Sequence, residues 1–157
     1  MQWIDEGIER ILDKFSYSFY VVEPDMNMTC VCKNYTTKQG NPECEKCFGL
    51  GYRARIRKVE GVLEDRHSTF QNKNVRESSI SHIYYVKGKY SIGENSTIVD
   101  ENVACDVHRK DRRVSADKRI VFYRVLTIPK KNNRDVFIKN FNKALNSWKV
   151  KKGGTEK

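Results

Sequence analysis

The sequence predicts a mainly β domain: a small antiparallel β-barrel or sandwich, flanked by a short N-terminal helix and a C-terminal helix, with a cysteine-rich insertion. Two observations support this fold class. Short segments rich in β-branched and aromatic residues recur through the middle of the chain, separated by turn residues. Helical spacing of apolar residues is confined to the two ends. With 157 residues, the chain is long enough for one domain with its own core.

The first helix is predicted over residues 2–14, where apolar residues recur with helical spacing. These residues are Ile4, Ile8, Ile11 and Leu12. A β-rich strand follows from Tyr17 to Val22, and Pro24 is expected to end it.

After the cysteines, the sequence returns to the period of two that is typical of a half-exposed strand. Three arginines occupy alternate positions of this strand: Arg53, Arg55 and Arg57. Gly61 allows a bulge or a bend further along it.

Four later segments complete the predicted body. They are a polar loop at 66–79, a hairpin at 79–92 that turns near Lys87 and Gly88, a strand pair at 96–107 that turns around 100–102, and a central strand at 119–128 that ends before Pro129.

The C-terminal segment favours a helix at residues 134–149, with a strand at 135–141 as the alternative. One helical face would hold Phe137, Phe141, Ala144, Leu145 and Trp148, with Asn133 as a cap. We therefore expect a single domain at 1–150, with an insertion at about 28–52, and a flexible basic tail at 151–157.

The composition limits the range of cellular locations and partners that we expect. The net charge is +10, from 30 basic and 20 acidic residues, which favours anionic partners. No apolar run reaches the roughly 20 residues that a membrane-spanning helix needs. Acidic residues interrupt the apolar positions of the N-terminus, which is untypical of a secretory signal. A cytosolic location is the expectation, and clustered cysteines there indicate metal binding rather than disulfides.

Four of the five cysteines lie within residues 29–52, as the pairs Cys30-x-Cys32 and Cys44-x-x-Cys47. Four thiolates satisfy the tetrahedral preference of zinc and leave no open position for a substrate. The sequence therefore predicts a structural zinc site in which Gly49 and Gly51 let the backbone fold close beneath the ion.

The one-residue gap in the first pair leaves alternatives open. In a regular strand, Cys30 and Cys32 would lie roughly 7 Å apart, so we expect a turn there, or a histidine as one ligand. The candidate histidines are His67, His82 and His108. The other interpretations are a redox pair at Cys44 and Cys47, reduced core cysteines, and a relic that no longer binds metal. Cys105 is expected to be a small buried residue.

A second basic segment lies at 108–119 and is predicted to be a protruding loop. Its cations are Arg109, Lys110, Arg112, Arg113, Lys118 and Arg119. Such a loop, together with the arginine row at 53–57 and the C-terminal lysines, could contact phosphates or an acidic face of a neighbouring subunit. No phosphate-binding glycine loop and no catalytic serine or cysteine motif is recognisable, so the sequence predicts a protein that is not an enzyme.

Two resemblances follow from these motifs. Residues 44–51 resemble one Cys-x-x-Cys-x-Gly-x-Gly repeat of the DnaJ-family cysteine-rich domain, which has four such repeats; this implies a local zinc-knuckle geometry. Residues 17–128, with the same motif followed by a long strand and further β segments, are similar in layout to the neck proteins of tailed bacteriophages, the head-completion or head-closure class.

The second resemblance implies a non-enzymatic virion component, made in the host cytoplasm, that forms a homo-oligomeric ring between portal and tail. Its implied partners are portal or adaptor proteins and tail-completion proteins, with contact to packaged double-stranded DNA left open. Two other hypotheses remain from the residues alone. One is a cytosolic zinc protein that binds nucleic acid through the basic segment 108–119, and the other is a thiol oxidoreductase that uses Cys44 and Cys47.

Overall fold

The computed structural model describes residues 2–64, 82–130 and 134–153. In chain order, the elements are α1 (Gln2–Phe15), β1 (Tyr17–Thr29), β2 (Tyr52–Glu64), β3 (His82–Lys87), β4 (Thr97–Asp100), β5 (Val103–Val114), β6 (Ile120–Pro129) and α2 (Arg134–Gly153). The six strands form a closed antiparallel barrel in the order β1-β2-β3-β6-β5-β4. The predicted fold class is confirmed, and of the two predicted architectures, barrel and sandwich, the structure shows the barrel. Neither α1 nor α2 combines the length and the apolar character that crossing a bilayer requires.

The chain divides by its contacts into two compact units. The first unit contains Met1–Val21 and Arg57–Pro129, and the second contains Val22–Ile56 and Lys130–Lys157. The boundary therefore falls inside β1 and inside β2.

The core of the first unit lies inside the barrel. It consists of ten buried side chains, which are Phe19, Val21, Val59, Tyr84, Val86, Ile92, Ile98, Val107, Tyr123 and Val125. The rings of Phe19 and Tyr84 lie 4.9 Å apart. Along β6, buried and half-buried residues alternate, because successive side chains of a strand point to opposite faces. The inward side chains of the strands thus supply one continuous apolar core.

Pro24 does not end the first strand, as the sequence predicts, because β1 continues to Thr29. Proline is tolerated in a strand where its missing N–H would have no partner in the ladder. Gly61 shows no bulge in its pairing with Val86 of β3. Its lack of a side chain instead permits close strand contact, since a Cβ there would lie 2.4 Å from the Tyr85 carbonyl oxygen.

The hairpin predicted at 79–92 is wrong in its described part. β3 ends at Lys87 and pairs with β2 and β6 rather than with the residues that follow it. The physical reason is burial, because the inward residues of β3 find apolar partners on both neighbouring strands, and Ile92 reaches the same core from outside the strands. The strand pair at 96–107 is confirmed as β4 and β5. The polar loop predicted at 66–79 lies outside the described residues.

The segment 108–119 is mostly strand, so the prediction of a protruding loop is wrong. β5 continues to Val114 and pairs with β6, and only residues 115–119 lie between the two strands. The register shifts by one residue between Val107 and Arg109, which marks a bulge at His108. Backbone pairing with β6 needs no apolar side chain on the outward face, and therefore charged residues continue the strand.

The C-terminal segment is helical, as favoured by the sequence, and not a strand. α2 buries Phe137, Phe141 and Leu145 on one face. Its last turn includes residues 151–153, while 154–157 of the predicted tail and the predicted cap Asn133 lie outside the described residues.

A buried tyrosine makes the barrel sensitive to alkaline pH. The Tyr17 and Tyr84 hydroxyls both donate hydrogen bonds to Asp100 Oδ2, at 2.5 and 3.2 Å. Burial, and then the charge of Asp100, raise the pKa of Tyr84 well above its usual value of about 10. The folded state therefore keeps a proton that the unfolded state loses above about pH 10.

Tyr84→Phe is thus expected to weaken the fall in stability above pH 10. Each strongly shifted tyrosine should contribute a slope of about 1.4 kcal/mol per pH unit there and nothing below pH 9. Urea unfolding of the wild type and the variant between pH 8.5 and 11 measures this slope. Tyr35→Phe, at an 83% exposed position, is the control; equal slopes for Tyr84→Phe and the wild type would contradict the prediction.

Candidate metal centre

Four cysteine side chains of the second unit converge on one point. The Sγ atoms of Cys30, Cys32, Cys44 and Cys47 all lie within 4.8 Å of one another. The sulfurs of Cys30 and Cys44 are 3.7 Å apart, those of Cys30 and Cys32 are 3.5 Å apart, and those of Cys32 and Cys47 are 3.3 Å apart. The two sequence pairs therefore form one cluster.

This spacing fits a tetrahedral metal site. With metal–sulfur bonds of about 2.3 Å, the edges of an S₄ tetrahedron are roughly 3.8 Å long. A disulfide would need about 2.05 Å, and all five cysteines are free thiols. The cluster is thus compatible with metal binding through four thiolates, and such a donor set leaves no position for a substrate.

The first pair lies on a turn, as the one-residue gap led us to expect. β1 ends at Thr29, and the N–H of Lys33 donates to the carbonyl of Cys30 at 3.1 Å. The turn moves both sulfurs to the same side and leaves Val31 between them 93% exposed. Of the candidate histidines, His82 and His108 belong to the first unit (the barrel unit), and His67 lies outside the described residues.

The second pair lies on a tight turn at residues 44–51, the knuckle, whose backbone conformation needs its glycines. Phe48 donates from its N–H to the Cys44 carbonyl at 2.9 Å, which closes a turn around the pair. The φ angles of Gly49 and Gly51 are +85° and +78°, in the left-handed region where a side chain is unfavourable. This confirms that both glycines adopt conformations that a side chain would obstruct.

Backbone N–H groups of the knuckle point at the sulfurs and set their acidity. Burial opposes ionisation of Cys44, but N–H groups of Lys46 and Cys47 and the neighbouring thiols outweigh it and lower the pKa of Cys44 to about 7. Burial raises the pKa of Cys47 to about 12, although N–H groups of Gly51 and Gly49 reduce the effect. Such N–H donors also stabilise thiolates that ligate a metal.

The knuckle is packed against α2, a contact that sequence reasoning missed. The buried rings of Phe48 and Phe137 meet edge to face at 5.6 Å. Glu45 forms an ion pair with Lys143 of α2. The alternation of turn residues and charges around the cysteines gave no sign of this contact; the only signal was Phe48, an apolar residue directly after Cys47.

The arginine row of β2 is divided between the two units. Arg53 and Arg55 are exposed and belong to the second unit, whereas Arg57 belongs to the first and donates to the Ser91 carbonyl.

Most cations of the basic segment have partners within the barrel unit. The ion pairs are Arg109 with Asp111, Arg113 with Asp5, and Arg119 with both Glu9 and Asp117. Lys110 donates to the carbonyl of Ile92 at 2.5 Å and lies over the ring of Tyr123. For Arg112 and Lys118, both exposed, the described residues provide no ion pair. The segment is therefore less available to an anionic partner than its composition indicates.

Cys105 is separate from the cluster. It is 1% exposed in β5, which confirms the prediction of a small buried residue. Its sulfur lies 3.6 Å from Nδ1 of His82, within the barrel unit.

Neither a comparison with protein-family models nor one with curated proteins finds a match to this chain.

Proposed function

We propose that the chain is a non-catalytic assembly protein whose second unit is held together by structural zinc. The observation that carries this proposal is the four-sulfur cluster, since its donor set saturates a tetrahedral ion. Soft thiolates favour zinc among the divalent metals that are abundant in cells, although a single iron ion also accepts four thiolates. A saturated site can order the knuckle and cannot bind a substrate. The protein would therefore act by binding other proteins through its surface.

Within this class, we propose a component of the neck of a tailed phage, in the virion. Two features support it: the motif at 44–51 followed by a long strand, and the antiparallel barrel that these strands build. The role would be to form a ring between the portal or adaptor and the tail-completion proteins.

Nucleic-acid binding through residues 108–119 is the second candidate, and the ion pairs of Arg109, Arg113 and Arg119 weaken it. One observation still favours it: the segment carries six cations against two aspartates, and Arg112 and Lys118 are exposed with no ion pair among the described residues. On duplex DNA, the logarithm of affinity would then fall with the logarithm of salt concentration, with a slope of about 0.9 per phosphate contact. A flat response between 50 and 300 mM salt would exclude this candidate.

Self-association tests the proposed assembly role. Sedimentation velocity of the zinc-loaded protein over a hundredfold range of concentration is expected to show a species several times heavier than the 18.4 kDa chain. Removing the metal with a chelator should abolish it, because the knuckle would lose its order. Cys105→Ala, outside the cluster, should assemble like the wild type. A monomer at every concentration would contradict the ring.

A further inference from the structure

A groove lies within the second unit, beside the metal cluster. It has a volume of about 600 Å³ and is bordered by the end of β1, the beginning of β2, the knuckle and α2. Its apolar lining residues include Met28, Val31, Phe48 and Ile56, of which Met28 is 45% and Val31 93% exposed. Large apolar side chains left in water beside a groove indicate a docking surface.

The walls of this groove suit a peptide. Ala54 of β2, and Ala144 and Ser147 of α2, are small and allow another backbone to approach closely. Met28 is unbranched and flexible, so it can adapt to apolar side chains of a partner. A hydrophobic groove can bind the apolar face of an amphipathic segment through a few apolar anchors.

The charge at the groove is positive. Lys46 and Arg53 line it and are exposed, and neither has an ion pair among the residues that the structure describes. The acidic lining residue Glu45 is already paired with Lys143. The net charge of +8 on this unit, from 14 basic and six acidic residues, against +2 on the barrel unit, extends the positive field around the groove.

We infer that this groove binds an acidic amphipathic segment of a partner protein, with apolar anchors in contact with Met28 and Val31 and carboxylates paired with Lys46 and Arg53. The inference rests on the proposed assembly role for the kind of partner and names the surface that would join it.

Two other occupants fit less well. The exposed apolar residues of α1, Ile11 and Phe15, are accompanied by Lys14, whose ammonium lies 5.3 Å from the Phe15 ring centre. Three of the four carboxylates of α1 are already paired within the first unit: Asp5 with Arg113, Glu9 with Arg119 and Asp13 with Lys87. A second copy of α1 would therefore bring Lys14 to the groove with few carboxylates left for Lys46 and Arg53. Single-stranded nucleic acid needs exposed aromatic rings for base stacking. Among the described side chains that line the groove, Phe48 is the one aromatic residue, and it is 5% exposed.

Selection from a random dodecamer display library on the zinc-loaded full-length protein tests the inference. Enriched peptides are expected to carry net negative charge and at least two large apolar residues. A fluorescein-labelled copy of the most enriched peptide then gives dissociation constants by anisotropy, with fluorescein-labelled dT₂₀ as the nucleic-acid probe.

Matched variants assign the binding to the groove. Met28→Glu should weaken peptide binding at least tenfold, whereas Met26→Glu adds the same charge two residues away, outside the lining, and should change it less than twofold. Lys46→Glu should weaken it about tenfold and Lys38→Glu little. Should Met28→Glu lose its metal, Ala144→Gln narrows the groove without a charge, with Asn146→Gln as its control.

Each contrary result overturns the inference in its own way. The inference fails if no peptide is enriched over a selection on Met28→Glu, if enriched peptides are basic, or if dT₂₀ binds more tightly and with the same dependence on Met28. It also fails if Met28→Glu abolishes self-association, because the occupant is then a second copy. Ring assembly without peptide binding would overturn this inference alone, and peptide binding by a permanent monomer would overturn the ring alone.

Discussion

Cys44→Ser is expected to remove the bound metal and to unfold the knuckle of the second unit while the barrel stays folded. The segment around the cysteines is polar and has little core of its own beyond Cys30, Cys47 and Phe48, so a metal held by the four sulfurs would supply most of its order. Apparent metal-binding free energies of roughly 10–16 kcal/mol in zinc-finger peptides are ample for this purpose. Because the ten core residues of the barrel all belong to the first unit, their packing should survive the loss.

Elemental mass spectrometry and hydrogen exchange measure both halves of this prediction. The wild type should hold one zinc per chain and no stoichiometric iron, and Cys44→Ser should hold none. Amide protection should vanish around 30–51 and persist in β3 and β6. Cys105→Ala, which removes a buried thiol outside the cluster, should retain the metal. A wild-type protein that carries no metal and still protects the knuckle would refute the structural site.

Phe19→Ala is expected to destabilise the barrel by about 3–5 kcal/mol without loss of metal. Phe19 is 1% exposed, and its ring packs against Tyr84 at 4.9 Å and Tyr17 at 5.7 Å, inside a closed barrel that cannot collapse easily around a cavity. Domains of this kind are stable by only about 5–15 kcal/mol in total. The loss should therefore be visible as a large shift of the unfolding midpoint in guanidinium chloride.

Tyr35→Ala provides the control for truncating an aromatic residue, since its side chain is 83% exposed and should cost no more than about 0.5 kcal/mol. Phe19→Leu should fall between the two. A cost below about 1 kcal/mol for Phe19→Ala would show that the barrel core does not depend on this ring. Loss of the metal in the same variant would show that the two units do not respond separately.

The sequence predicted the parts of this fold that depend on local periodicity. Apolar residues on both faces of residues 119–128 indicated a central strand, and the spacing of Phe137, Phe141 and Leu145 indicated a helix. In the helix, a repeated apolar position marks the buried face directly. The interpretation of 108–119 as a loop was wrong because this strand lacks an apolar periodicity. Its outward residues are charged, and its pairing with β6 is made by the backbone.

The four-cysteine site was also predictable, since thiol spacing and the glycines at 49 and 51 reflect local backbone geometry. What the sequence could not indicate was how distant segments meet. The closure of the barrel, the pairing of β3 between β2 and β6, and the contact of Phe48 with Phe137 join residues far apart in the chain.

By itself, then, the sequence determined which segments are strands or helices at most positions and which side chains could hold an ion. Only the tertiary structure decided which charges remain available. Arg109, Arg113 and Arg119 are paired with carboxylates of the barrel unit, whereas Lys46 and Arg53 have no such pair among the described residues. The physical reason is that an ion pair depends on a few ångströms between side chains, and a composition fixes the number of charges but not the distances between them.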